Sequence, residues 1–225
     1  MTPQEIIRDA YGIHRRVALV ASFQIESVVL IDMAAQVVGE PEVLTIDTGR
    51  LPQATFDAID AILERYSIRL RVLAPDPQDL ALLAAEHGTN PFLRSVELRR
   101  HCCDIRKTRP LSAALEGYDA WITGLRRDQG ATRAATPISA PDPAHEGIAK
   151  IAPLAEWTRD QVWAYARERG LPLHPLYAQG YTSIGCAPCT RAAQPGEDER
   201  AGRWWWEQDG VKECGLHFSA AEVKA

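Results

Sequence analysis

No stretch of this chain stays apolar long enough to cross a bilayer as a helix; the best run, Val28 to Val38, is broken by Asp32 and Gln36. The opening residues, Met1-Thr2-Pro3-Gln4-Glu5-Ile6, have neither the basic start nor the apolar core of an export signal. The expectation is a cytoplasmic, soluble protein without a membrane partner, whose thiols stay reduced. Positive charge is not in excess: 25 Lys and Arg against 30 Asp and Glu leave a net −5, which argues against a broad nucleic-acid-binding surface. No internal repeat or low-complexity tract occurs, and no glycine-rich phosphate loop. Cysteine is scarce, with five in 225 residues. Their placement is therefore the most informative thing in the chain.

They fall as adjacent Cys102-Cys103, a Cys186-Ala-Pro-Cys189 pair, and a lone Cys214. Two thiolates of a Cys-x-x-Cys pair can reach one centre, and a second pair completes four ligands suited to zinc or an iron–sulfur cluster. Neighbouring side chains tend to diverge, so an adjacent pair suits a bulky cluster better than a single zinc ion. Buried inert thiols are the bland alternative. Cys214 has no pair, which makes it the candidate nucleophile.

A hydrophobic content of 46% supports a large core. The length suits one α/β domain over 1–225, with an elaborated tail at about 190–225. Strand-like Val17–Ala21, Val43–Ile46 and Leu70–Leu73 alternate with helical patterns reaching Val38, spanning about Gln53–Tyr66, and running Asp79–His87. Such alternation predicts a parallel sheet with covering helices, and ligands beyond the carboxyl ends of its strands. A further helix is expected to begin near Cys102, and a further strand at Ala120–Gly124. The proline-dense stretch 137–143 reads as loop, and Thr158-Arg159-Asp160-Gln161 as a capping box.

Ser22, in the loop after the first strand, could help hold an oxyanion at a helix N-terminus; simple capping is the plainer reading. Glu26 would repel a phosphate there unless turned away. Basic residues gather as Arg126, Arg127 and Arg133; as Arg106, Lys107 and Arg109; and as Arg200 with Arg203. The last two, three residues apart, would share a face if helical and could grip a phosphate or sulfate. Trp204-Trp205-Trp206 cannot all face one way, so packing is expected for most of them. His217, three residues after Cys214, could help ionise the thiol.

His101-Cys102-Cys103-Asp104-Ile105-Arg106-Lys107-Thr108-Arg109-Pro110-Leu111, Gly185-Cys186-Ala187-Pro188-Cys189 and Lys212-Glu213-Cys214-Gly215-Leu216-His217 resemble the signatures of assimilatory adenylyl-sulfate (APS) reductases, in the phosphoadenylyl-sulfate reductase family. Also similar are Ile46-Asp47-Thr48-Gly49-Arg50-Leu51, Gly124-Leu125-Arg126-Arg127-Asp128-Gln129, and the run from Pro195 to Glu207. The resemblance extends from Val17 to the C-terminus and keeps motif order. It implies a parallel-sheet, Rossmann-like fold of the adenine nucleotide alpha hydrolase-like type, with a C-terminal cluster-binding and catalytic segment. It further implies one 4Fe–4S cluster on Cys102, Cys103, Cys186 and Cys189, with Cys214 as nucleophile and thioredoxin or a glutaredoxin-like protein as reductant. Lys107 would sit between cluster and substrate, and Arg200 and Arg203 would hold the phosphosulfate, with Arg126, Ser22 and His217 as further substrate contacts. Where Gln24 stands, the family usually has a small residue, often glycine.

The implied reaction is reduction of adenylyl sulfate to sulfite and AMP through a cysteine S-sulfonate, in sulfate assimilation toward cysteine. Enzymes for the 3′-phosphorylated substrate lack the cluster cysteines. An ATP-dependent tRNA sulfur transferase of the same fold would normally show a Ser-Gly-Gly-x-Asp-Ser loop, absent here. In a non-catalytic metal-stabilised module, Cys214 would be dispensable. A homo-oligomer is compatible with the sequence.

Overall fold

The computed structural model describes residues 1–207, 213, 215 and 216. Six strands form one sheet: β1 (Val17–Val20), β2 (Glu42–Ile46), β3 (Arg69–Leu73), β4 (Ala120–Ile122), β5 (Ser139–Pro141) and β6 (Ala149–Ile151), in the spatial order β3-β2-β1-β4-β6-β5. All pairings are parallel except β5 against β6. Leu19 of β1 sits between Val43 of β2 and Ile122 of β4, and all three are fully buried, as expected of central parallel strands. The helices are α1 (Pro3–Ile13), α2 (Ile25–Val38), α3 (Gln53–Arg65), α4 (Pro77–His87), α5 (Val96–Cys103), α6 (Arg109–Leu115) and α7 (Arg159–Glu168). None among the described residues is long and apolar enough to cross a membrane.

Helix α2 is buried over ten consecutive residues, Ile25 to Ala34, and packs against α1 and α7. That accounts for its long apolar run. Asp32, the charge that interrupts it, is 2% exposed and accepts hydrogen bonds from Tyr66 Oη (2.8 Å), Tyr165 Oη (2.6 Å) and Arg169 Nε (2.6 Å). A buried carboxylate is tolerated because each oxygen is satisfied.

Three sequence expectations need correcting. The helix carrying the adjacent cysteines begins six residues earlier than Cys102, at Val96, because Ser95 accepts a hydrogen bond from the Leu98 amide. The stretch 137–143 is not all loop. It contains β5, an edge strand in which Pro141 costs no ladder bond that a central strand would need, and its partner β6 carries no strand signal strong enough to be read. Arg200 and Arg203 lie in turns rather than on a helix, with Arg203 in an isolated bridge to Thr190. By contrast the Thr158 capping box forms as read, opening α7.

His174, 1% exposed, fixes the turn that follows α7. Its Nδ1 accepts from the Leu176 amide (3.2 Å), which leaves the proton on Nε2 to donate to Thr55 Oγ1 (3.0 Å). Burial pushes its pKa down to about 4. Since the unfolded imidazole titrates near 6.5, the unfolded chain binds more protons between those values, and stability falls as pH drops through that window. The loss should reach about 2–3 kcal/mol by pH 4. Urea titrations from pH 7 to pH 4 should show that slope, and His174→Gln should flatten it; an unchanged slope would assign the acid sensitivity elsewhere.

Candidate active site

The sheet order reverses at β1 and β4, which are neighbours although the chain leaves them toward opposite edges. A cavity of about 190 Å³ opens at their carboxyl ends, lined by Ala21 and Ser22 after β1, Thr48 after β2, and Thr123 and Gly124 after β4. Gly124 is required there. A Cβ would come within 2.8 Å of Glu26 Cβ and push away the start of α2.

The Ser22 loop closes on itself and on the far wall. The Ser22 amide donates to Ser27 Oγ (3.0 Å), Gln24 Nε2 donates to Ser22 Oγ (3.1 Å), and Gln24 Oε1 accepts from the Ile184 amide (2.7 Å). A small residue at position 24 could not make this bridge. Glu26 lines the cavity, but its charge is met from the other side: its Oε1 accepts from Arg126 Nε (3.0 Å) and Gln129 Nε2 (3.1 Å).

Four thiols lie behind the cavity. Cys102 and Cys103 end α5, where the chain passes into a π-helical turn, Asp104–Thr108, that carries Arg106 and Lys107. Cys186 caps the 3₁₀ turn Ala187–Cys189, and Cys189 ends it. That turn is pinned by the Ala187 amide on Arg50 O (2.8 Å) and by the Trp204 amide on Cys189 O (3.2 Å). All four are buried, free of disulfides, and packed in one cluster with Phe92, Ile105 and Trp204. Thr48 Oγ1 lies 3.3 Å from Cys186 Sγ. Burial pushes the Cys189 thiol up to about 12, reinforced by the neighbouring Cys186 and Cys103 and opposed by Lys107 and Arg203. Burial likewise raises Cys102, against the opposing charge of Arg106.

Unpaired buried donors accompany them. Arg106 Nε, Arg203 Nε and Trp204 Nε1 have no hydrogen-bond acceptor among the described residues. Trp204, with φ +43°, is stacked between two guanidiniums, Arg99 at 4.4 Å and Arg203 at 4.6 Å from the ring centroid. Trp206 packs on Phe92 and Trp205 is 43% exposed, so the three tryptophans do diverge. Among the described residues, no three His, Cys, Asp or Glu side chains are placed to hold a single metal ion. Four soft donors in one dry cluster, ringed by orphan donors and cations, fit a bulkier sulfur-bearing centre whose own atoms would accept those hydrogen bonds.

Lys107, Arg200 and Arg203 line the same cavity, joined by Arg133. Gly185 makes room for the Arg203 guanidinium, which occupies the space a Cβ would need. Ser22 also lines the cavity. Arg126 does not. It is fully buried and its guanidinium meets Glu26, Asp128 and Glu199, the last at 3.2 Å. Cys214 and His217 lie outside the described residues, although Glu213 and Leu216 on either side are placed, Leu216 at the cavity wall. Sequence reasoning missed Thr48 as a thiol partner and Gln24 as a bridge. Thr48 could have been found from its place at the carboxyl end of β2.

Fold and site together define an α/β protein of the adenine nucleotide alpha hydrolase-like class, with a basic cavity at the switch point and a buried tetrathiol cluster beside it. Within that class the chain belongs to the phosphoadenosine phosphosulfate reductase family, whose domain model matches residues 16–192. It is 51% identical over 181 residues to the adenosine 5'-phosphosulfate reductase of Agrobacterium fabrum, covering 80% of this chain and 69% of that one. The adenosine 5'-phosphosulfate reductase of Sinorhizobium fredii is 46% identical over 210 residues, 93% of this chain and 83% of the relative. Among solved structures, phosphoadenylyl-sulfate reductase from Candida auris, in a phosphate complex, superimposes with a TM-score of 0.73 at 27% identity, over 85% of this chain and 91% of that one.

Proposed function

We propose that this chain is an adenylyl-sulfate reductase that releases sulfite and AMP at the expense of a protein dithiol. The observation that carries the reading is the coincidence of four buried thiols with a cavity lined by Lys107, Arg200 and Arg203, in a chain whose relatives are named for that reaction.

Cys102, Cys103, Cys186 and Cys189 would hold one 4Fe–4S cluster. When bound it supplies local charge beside the substrate wall, while the thiols account for the two electrons transferred. Adenylyl sulfate would lie across the carboxyl ends of β1 and β4, with Ser22 near the phosphate. Lys107, Arg200 and Arg203 neutralise the oxygens around sulfur and stabilise the leaving phosphate, an effect typically worth several kcal/mol in a dry site. The Cys214 thiolate attacks sulfur, the sulfur–oxygen bond breaks, and AMP leaves with the bonding pair. His217 assists at the thiol or the phosphate. Arg126 acts indirectly, by neutralising Glu26 and Glu199 beside the cavity. One thiol of thioredoxin, or of a glutaredoxin-like protein, then attacks Cys214 sulfur and expels sulfite, and its second thiol resolves the mixed disulfide. A reducing cytoplasm suits such a donor, and the subunit would work alone or in a homo-oligomer.

The test is sulfite and AMP release from adenylyl sulfate with reduced thioredoxin, run in parallel with the 3′-phosphorylated substrate. kcat/KM should favour adenylyl sulfate by at least about tenfold, or roughly 1.4 kcal/mol. Equal or reversed preference would reassign the substrate, and no sulfite from either would reject the reaction.

A further inference from the structure

We infer that Glu213 is the positioning residue for the nucleophile: by clasping Arg133 and Arg200, which line the cavity, its carboxylate fixes the chain one residue before Cys214; this rests on the reading of Cys214 above.

Glu213 is 3% exposed and every acceptor it has is used. Oε1 accepts from Arg133 Nε (2.9 Å) and Thr132 Oγ1 (3.3 Å). Oε2 accepts from the other arm of Arg133 (2.9 Å) and from Arg200 Nη2 (3.2 Å). Its backbone carbonyl accepts from Arg99 Nη1 (2.7 Å). Arg99 is itself fully buried, paired with Glu207 at 2.7 Å and stacked on Trp204. One residue is thus held by arginines from α5, from the 131–133 turn and from the turn ending at Arg203.

Burial alone would raise the Glu213 carboxyl, but the Arg133 hydrogen bonds and the Arg200 charge outweigh it and hold the pKa below the usual range. The group is a full anion at neutral pH, and a forked arginine pair fixes direction as well as distance. On the other side of Cys214, Leu216 lines the cavity. Glu213 is thus held by its clasp and Leu216 by the cavity wall. Anchoring a nucleophile beside its target replaces a search through chain conformations with a short approach, and small misplacements cost large factors in rate. Arg200 lies on the cavity wall, so a single cation would face both the anchor and the substrate anion.

The experiment compares wild type, Glu213→Gln, and the conservative Glu213→Asp, all checked for folding by circular dichroism. Single-turnover S-sulfonation of Cys214, followed by intact mass, should slow by at least about tenfold in Glu213→Gln. The Kd for AMP should stay within about threefold, since the anchor is not a substrate contact. Glu213→Asp, which keeps the charge that meets Arg133 and Arg200, should retain part of the rate. Hydrogen exchange of the 213–216 peptide, measured without substrate, should rise in Glu213→Gln and stay nearer to wild type in Glu213→Asp. Should Glu213→Gln fail to fold, Arg133→Gln removes the same clasp from the other side and is held to the hydrogen-exchange outcome alone, because Arg133 also lines the cavity. Equal exchange and equal sulfonation rates in variant and wild type would overturn the inference. Absence of any adduct in wild type would instead reject the nucleophile assignment, and the exchange arm would still decide whether Glu213 anchors its segment.

Discussion

Cys214→Ser is expected to cut turnover by at least about a thousandfold, about 4 kcal/mol in transition-state stabilisation, while leaving the colour of the purified protein and its affinity for AMP unchanged. The reason is a separation of thiols. The four cysteines that pack together are buried, free of disulfides and, on the reading above, committed to the cluster, so none of them suits the nucleophile's role. Cys214 is the thiol left over, between Lys212 and His217 in sequence, one residue beyond an anchored Glu213. Serine hydroxyl is a far weaker nucleophile at neutral pH, so the first bond to sulfur would not form. Intact-protein mass after incubation with adenylyl sulfate and no reductant provides the measurement. Wild type should gain one sulfonate that thioredoxin removes, and Cys214→Ser none. Sulfite release by the variant, or an adduct mapped elsewhere, would show the assignment to be wrong.

What could be read from the sequence was the part governed by local pattern. Strands β1 to β4 and helices α2 and α3 follow from apolar runs and their stops, β4 despite its three residues because all of them are apolar and buried. The β5–β6 pair was not legible. Each strand has three residues, one contains Pro141, and their pairing is fixed by β4 next door rather than by their own composition. Among the site residues, cysteine spacing announced the thiol cluster, because few other arrangements use an adjacent pair and a Cys-x-x-Cys pair together. The division of labour among arginines was hidden. Arg126 and Arg133 occur in the same basic stretch, yet one is consumed by Glu26, Asp128 and Glu199 and the other reaches the cavity. Only the partners brought in from distant segments separate them. Glu213 shows the same limit: beside a cysteine it reads as a flanking charge, and its meaning appears only when Arg99, Arg133 and Arg200 arrive from three places.

Replacing any one of Cys102, Cys103, Cys186 or Cys189 by Ser should strip the chain of metal and of activity together. Anaerobically purified wild type should be brown and carry about four irons per chain, and each variant should fall below about one. The geometry makes the four positions interdependent. Cys102 and Cys103 end α5, and the π-helical turn that follows presents Lys107 to the cavity. Cys186 and Cys189 hold a turn whose carbonyl, at Cys189, is the anchor for the Trp204 amide and so for the stretch containing Arg200 and Arg203. An unfilled pocket of buried donors is costly, since Arg106 Nε, Arg203 Nε and Trp204 Nε1 would remain without acceptors. A serine hydroxyl supplies a harder donor, poorly matched to iron in a sulfur-rich site. Cations on both sides of the cavity wall should therefore lose their places when the centre is lost, which is why activity falls with the iron even though no electron need pass through it. Iron and acid-labile sulfide assays on the five single Cys→Ser variants provide the decisive contrast: four should lose both, and Cys214→Ser should keep both. One tightly bound zinc per wild-type chain, with no sulfide after anaerobic reconstitution, would overturn the cluster assignment while leaving the cavity and its cations in place.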